Sequence, residues 1–229
     1  MNIEEVQRSL WEKSGVHKAN RETSSPLFPV NPYEKRIRKL MDLMHNPTWL
    51  REAAERTLRR SHGKKPGIDK VTVSEFRKNF ENNLGILRRE LKRGTYQPKP
   101  VRQVLIPKAN GKMRALGIPC LRDKIVQEAI CMALEPIFEV EFHDSSYGFR
   151  PNRSAHHAIC RCRGLMQTKF TWVIEGDVKA CFDEISHKTI LKVVREKVMD
   201  NKFLNLITRF LKAGVSIKGV VHLTVKGVP

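Results

Sequence analysis

An α+β fold, mostly helical with one basic β-hairpin and a few further strands, is predicted by three features of the sequence. Apolar residues recur at three- and four-residue spacing through Ile37, Leu40, Met41 and Met44, and again through Phe76, Phe80, Leu84, Leu87 and Leu91, the signature of amphipathic helices. Two strand-forming runs, Val101 to Ile106 and Met113 to Ile118, flank Asn110-Gly111, a dipeptide that favours a tight hairpin turn because both positions tolerate positive φ. A third strand-forming run, Trp172 to Ile174 with Val178, is interrupted by Gly176 and carries Asp177 near the end of what reads as a buried strand.

The elements follow in order. Met1 to His17 suits a short helix through Val6, Leu10 and Trp11, and Ser24 to Pro32 carries three prolines, so residues 1–31 read as a leader and linker. Pro32 to Arg60 holds two helices parted near Asn46-Pro47, with Thr48 as the cap of the second. Ser61 to Lys70 is a basic, glycine-containing loop, suited to backbone phosphates or equally to plain solvation. A helix spans Val73 to Arg93 and ends at Gly94, a C-terminal cap residue. After the hairpin, Asp123 to Phe138 is a helix with one wide apolar face, Gln127 and Glu128 exposed, and Pro136 distorting or closing its end.

Phe142 to Ser154 is a turn that mixes aromatic and basic residues, with Tyr147 and Phe149 expected as core anchors; Ser154 caps a helix reaching Met166. Ser186 opens a helix from His187 to about Met199, and a second runs from Lys202 to Leu211. Val215 to Val221 and Leu223 to Val225 form a strand pair about Lys218-Gly219.

Charge narrows the partner class. Lys and Arg number 43 against 24 acids, a formal net charge of +19, and the sequence pI is near 10.0. Such an imbalance favours a polyanion, nucleic acid first. Between Leu84 and Lys124 the only acids are Glu90 and Asp123, among 11 Lys and Arg. That density suits phosphate binding at the hairpin, although lysines also protect exposed sheet edges. No run approaches the roughly 18 apolar residues of a spanning helix, so a membrane is not expected. The five cysteines form no CxxC pair, which suggests neither a zinc site nor a disulfide framework; with no apolar signal core, the cytoplasm is the expected compartment.

A buried carboxylate at Asp177 requires a cation, hydrogen-bond donors or a metal ion to offset its desolvation. The same residue type at a strand end also serves as an ordinary turn former or cap. Lys179, Phe182 and Asp183 follow it closely, giving the local order strand, carboxylate, aromatic, helix cap.

At this point the residues resemble a known family. EGDVKACFD followed by IxH looks like the first catalytic motif of the group II intron reverse transcriptases, the maturase class of RNA-directed DNA polymerases. IPKxNGKxRxLGIPxxRDKIVQ is similar to their fingers motif and SYGFRPNRSAHHAI to their second motif. All three stand in the family's order, and the resemblance covers about Ser61 to Pro229.

The resemblance implies a right-hand polymerase architecture, with residues 32–170 as fingers and 171–229 as part of the palm. It implies that Asp177 is catalytic and binds two magnesium ions, that Val178 lends a backbone carbonyl, and that Phe182 packs under the sugar of the incoming nucleotide. Lys108 and Arg114 would contact the triphosphate, the lysine as a point charge and the guanidinium as a fork. Arg150, Asn152 and Arg153 would hold the nucleotide pocket, the template strand or both, a division the sequence leaves open. Lys64, Lys65, Arg102 and Lys112 would attract phosphates generally. The implied partners are an RNA template, an intron RNA, a DNA or RNA primer and deoxynucleoside triphosphates.

Two departures matter. The family usually carries Gly where this chain has Lys70. Its Tyr-x-Asp-Asp box is missing from these residues, which hold no adjacent pair of aspartates. The 229 residues are therefore expected to be an N-terminal portion, inactive alone, whose remaining carboxylates come from further sequence or a second polypeptide. The alternative is a maturase remnant that grips intron RNA without polymerising.

Overall fold

The computed structural model describes residues 37–61, 63, 65–107, 109, 111–168, 170 and 172–228. The helix and linker expected before residue 32 lie outside these residues.

Helices α1 (Leu40–Met44) and α2 (Pro47–Ser61) open the described chain. Pro47 occupies the first turn of α2, where its missing N–H costs nothing. The cap is Asn46 rather than Thr48: its Oδ1 accepts the Trp49 N–H at 3.1 Å, because Pro47 takes the first helical position and leaves the cap to the residue before it. The single helix expected over Val73 to Arg93 is two, α3 (Val73–Lys78) and α4 (Phe80–Arg93). Asn79 breaks the run at φ −125 and ψ 41, and the Asn83 side-chain amide donates to the Phe76 carbonyl at 3.0 Å. Thr72 and Glu75 form a reciprocal capping box on α3, and hydrogen bonds from Thr72 hold the Glu75 carboxyl below its ordinary value. Gly94 ends α4 in the left-handed conformation, as expected.

Strands β1 (Val101–Pro107) and β2 (Met113–Ile118) pair antiparallel, with Arg102 opposite Ile118 and Ile106 opposite Arg114. Helix α5 (Leu121–Phe138) runs through Pro136 before tightening into a 3₁₀ turn at Glu139–Glu141. Gln127 and Glu128 are half-buried rather than exposed, because Glu128 reaches Arg60 of α2 at 2.8 Å. Helices α6 (Ala155–Met166), α7 (Cys181–Glu184), α8 (His187–Lys197) and α9 (Asn201–Leu211) follow, then β3 (Val215–Ile217) and β4 (Val220–His222) about the expected Lys218-Gly219 turn.

The sheet has the order β2-β1-β3-β4. β3 lies parallel to β1, with Val101 opposite Val215, so the C-terminal strand pair anchors the base of the basic hairpin. A continuous hydrophobic core draws on α1, α2, α4, α5 and α9, from Ile37 to Leu211. Trp49 sits at its centre, 1% exposed, with its indole N–H donating to the Ala129 carbonyl at 3.2 Å. Each fully buried side chain of this size contributes roughly 1.5–3 kcal/mol.

A buried polar cluster ties this core to the hairpin. The Tyr96 hydroxyl donates to one oxygen of Asp123, and the Lys99 N–H donates to the other at 3.0 Å. Arg122 stacks on the Tyr96 ring and pairs with Glu90. From α9, Arg209 donates to the Gly94 and Tyr96 carbonyls at 2.6 and 2.8 Å. Burial raises the Asp123 carboxyl above its ordinary value and pushes the Tyr96 hydroxyl far up. The sequence pattern marked neither residue, because an acid in the first turn of a helix usually faces water.

Candidate active site and nucleic-acid interface

The basic hairpin is exposed along β2 and at the tip of β1. Arg114 projects from the exposed strand opposite Ile106, and Lys112 lies exposed just before it. Lys108 and Lys64 are outside the described residues. Arg102 faces inward: its guanidinium donates to the Pro66 carbonyl at 2.6 Å and so joins the strand to the loop that carries exposed Lys65. That loop packs closely where Gly67 meets Cys120, since a Cβ at Gly67 would lie 2.6 Å from the Cys120 Cα. Burial pushes the Cys120 thiol up to about 11, so it serves as a neutral packing group. Lys70 adopts φ 60, taking in a lysine the left-handed conformation that favours glycine, at a cost of about 1–2 kcal/mol.

In the aromatic and basic turn, both arginines are committed internally. Arg150 forks onto the Glu139 carboxylate at 2.7 and 3.0 Å, donates to the His143 and Ser146 carbonyls at 2.8 and 3.0 Å, and stacks on Phe142. Arg153 donates to Asp144 and lies over the Tyr147 ring at 5.4 Å. Asn152 is exposed at φ 57. Phe149 is not the core anchor expected of it. It stands fully exposed at φ 57, in a turn where Arg150 and Arg153, both following it, are bonded to backbone carbonyls. Ser154 caps α6 as expected, accepting the His157 N–H at 3.4 Å, yet no residue of α6 is buried.

The largest correction concerns Trp172 to Val178. The buried strand expected there is absent; these residues are irregular and open to solvent, with Trp172 92% and Ile174 97% exposed. A strand needs a pairing edge and a covering layer. Here β1 is flanked on both sides, by β2 and β3, and among the described residues no strand pairs with 172–178. Asp177 and Val178 are consequently exposed, and the desolvation argument made for a buried Asp177 does not apply. Ala180 at φ 51 turns the chain into α7, which carries exposed Phe182.

The region is nonetheless tied from the other side. The Gly227 N–H donates to the Ile185 carbonyl and the Val228 N–H to the Phe182 carbonyl, both at 2.9 Å. His187, buried at the start of α8, donates through Nε2 to the Gly227 carbonyl at 2.8 Å, and Lys226 pairs with Glu184 at 2.5 Å. Gly227 has φ 81, and a Cβ there would lie 2.8 Å from the Asp183 carbonyl oxygen; only glycine fits this approach. Sequence reasoning did not single out His187 or Gly227 as partners, which lie 40 residues apart.

Hard cations take carboxylate and carbonyl oxygens, and Asp177 with the Val178 carbonyl offers that donor chemistry. Among the described residues, however, no group of three or more His, Cys, Asp or Glu side chains is placed to hold a metal ion. The magnesium pair implied by the resemblance therefore does not fit these residues by themselves. No helix among them is long and apolar enough to cross a membrane.

Residues 106–229, more than half of the chain, match the family model described as reverse transcriptase (RNA-dependent DNA polymerase). The chain is 46% identical to Protein YkfC of Escherichia coli over 198 residues, 85% of this chain and 52% of that protein. It is 46% identical to the group II intron-encoded protein LtrA of Lactococcus lactis over 143 residues, 61% of this chain and 23% of the relative. It is 36% identical to a putative COX1/OXI3 intron 1 protein of Saccharomyces cerevisiae over 83% of this chain and 22% of that protein. The chain thus spans about half of one relative and under a quarter of the other two. On these matches, and on the order of its three motifs, the chain belongs to the group II intron reverse transcriptase and maturase family.

Proposed function

We propose that this chain contributes the fingers (32–170) and part of the palm (171–229) of an enzyme that extends a DNA or RNA primer with deoxynucleoside triphosphates on an RNA template. In this reading Asp177 is one of several carboxylates that together bind the catalytic magnesium ions, the others lying outside these residues. Arg114, with Lys108, meets the triphosphate, while Phe182, Arg150 and Asn152 shape the nucleotide pocket. Lys64, Lys65 and Lys112 hold template or intron RNA, while Arg102, bonded to the Pro66 carbonyl, braces the loop that carries Lys65. The observation that carries the reading is the hairpin: its base is fixed by parallel pairing of β1 with β3, and its tip projects cations into solvent. Such a flap presents phosphate-binding groups without spending its own pairing on them. The internal bonds of Arg150 and Arg153 support roles in shaping the pocket wall rather than in direct contact.

The test is primer extension on an RNA template by a chain extended to include the further cation-binding carboxylates. Asp177→Ala is expected to abolish extension, and undiminished synthesis would remove Asp177 from the catalytic role. The 229 residues alone are expected to show none. A second reading, an RNA-gripping maturase module without synthesis, is favoured by one observation: the helical core and its basic faces are fully formed while the Asp177 stretch lies unpaired. It predicts RNA affinity indifferent to Asp177→Ala and absence of extension in every context.

A further inference from the structure

Away from the hairpin, the arginine turn and the Asp177 stretch, a cleft of about 720 Å³ opens where α1, the C-terminal end of α4 and the N-terminal half of α9 converge. Six cations line it: Arg38, Lys39, Lys92, Arg93, Lys202 and Arg209. Its two acids are already engaged. Asp200 accepts the Met41 N–H at 2.8 Å and the Lys202 and Phe203 N–H groups at 3.1 Å, and Asp42 faces His45 at 3.6 Å. Lys39, Lys92, Arg93 and Lys202 form no ion pair among the described residues. Like charges gathered in one concave site repel one another, and a polyanion is what relieves that repulsion.

The cleft is also built rather than incidental. Arg209 spends its guanidinium on the Gly94 and Tyr96 carbonyls, which fixes the end of α4 and with it Lys92 and Arg93. Lys39 holds φ 66 at the entry to α1, a conformation that a lysine adopts only where its surroundings impose it. Asn201 and Asn205, four residues apart and so on one face of α9, add amide donors and acceptors beside the cations, over an apolar floor that includes Met41 and Leu206.

We infer that this cleft binds the sugar-phosphate backbone of a single RNA strand, at a place separate from the proposed catalytic side. Six cations exceed what one phosphate needs, so the ligand carries its charge repeated along its length. Side-chain amides suit ribose hydroxyls and base edges, and the apolar floor suits a base or sugar face. Membership of an RNA-copying family favours RNA over an acidic peptide. The inference goes beyond the proposed function, because that reading requires no contact on this face.

The experiment measures binding of a short fluorescent oligouridylate to the 229-residue chain by anisotropy across a salt series. Lys92→Ala/Arg93→Ala/Lys202→Ala changes three exposed side chains. It is expected to weaken binding about ten-fold or more and to reduce the salt slope by about 2, at roughly 0.7 per lost phosphate contact. Lys188→Ala/Lys192→Ala/Arg195→Ala removes the same charge from the exposed side of α8 and is expected to change affinity less than about two-fold. Unchanged affinity in the cleft variant, or equal loss in both variants, would overturn the inference. So would displacement of the RNA by tripolyphosphate or polyglutamate at matched charge concentration, which would assign the cleft to a free oligophosphate or an acidic protein. Lys112→Ala/Arg114→Ala reports on the hairpin separately: loss there with none at the cleft leaves the polymerase reading standing and removes this one, whereas loss at the cleft alone supports this one and leaves the polymerase reading to primer extension.

Discussion

Trp49 and Trp172 are the same residue type in opposite circumstances. Trp49 lies in an amphipathic helix whose neighbours Leu50, Ala53, Ala54 and Leu58 are all buried with it, and its indole N–H reaches Ala129, 80 residues away. Trp172 begins a run equally rich in strand-forming residues, yet Val173, Ile174 and Val178 beside it are exposed. A helix satisfies its backbone hydrogen bonds internally and needs only one covering face. A strand satisfies nothing until a second strand arrives. The stretch that carries Asp177 is therefore the part whose local structure depends most on residues elsewhere.

Substitutions can break or sharpen that contrast. The largest effect is expected for Trp49→Ala, a loss of about 3–5 kcal/mol from the emptied core, read as the shift in urea midpoint at constant slope. Tyr96→Phe should cost about 1–3 kcal/mol by leaving a buried Asp123 oxygen without its donor; a change below a few tenths would show that water or relaxation replaces the hydroxyl.

Asp123 adds a pH signature to the same cluster. Its raised carboxyl value means that the native state holds this proton more tightly than the unfolded chain. Its stabilising contribution is full below the ordinary 3.8 and is lost as pH rises through the raised value. Stability of the parent should therefore fall relative to Asp123→Asn across that window, and parallel pH profiles for the two proteins would contradict the assignment. Asp200→Ala removes the cap of α9 and the tether to Met41. About 1–2 kcal/mol is expected, with faster amide exchange at residues 41, 202 and 203. Trp172→Ala closes the series at within about 0.5 kcal/mol; a loss of several kcal/mol would mean that the 172–178 stretch is packed in solution.

How much was legible follows from the range over which each signal acts. Ser154 and Ser186 cap the helices they were expected to cap, Gly94 ends α4, and β1 pairs antiparallel with β2 as the expected hairpin. Thr48 lost the capping role to Asn46, two residues earlier and also a good capping residue, and Asn79 split a helix whose apolar spacing runs on undisturbed. Phe149 and Trp172 were misjudged because aromatic and β-branched residues signal burial only when something lies opposite to bury them. Of the candidate site, the residue types and their order were readable. The internal bonding of Arg150 and Arg153, and the inward turn of Arg102, were not.

The sequence by itself determined the amphipathic helices, the caps at Ser154 and Ser186 and the basic hairpin, because side-chain periodicity, capping and turn preference act among residues within a few turns of one another. The tertiary structure alone decided that β3 pairs with β1, that Asp123 is buried against Tyr96, that Asp200 reaches Met41, and that Gly227 closes on Asp183 and His187. Each of these depends on groups tens of residues away or more, whose approach is set by how the helices pack and not by any local preference.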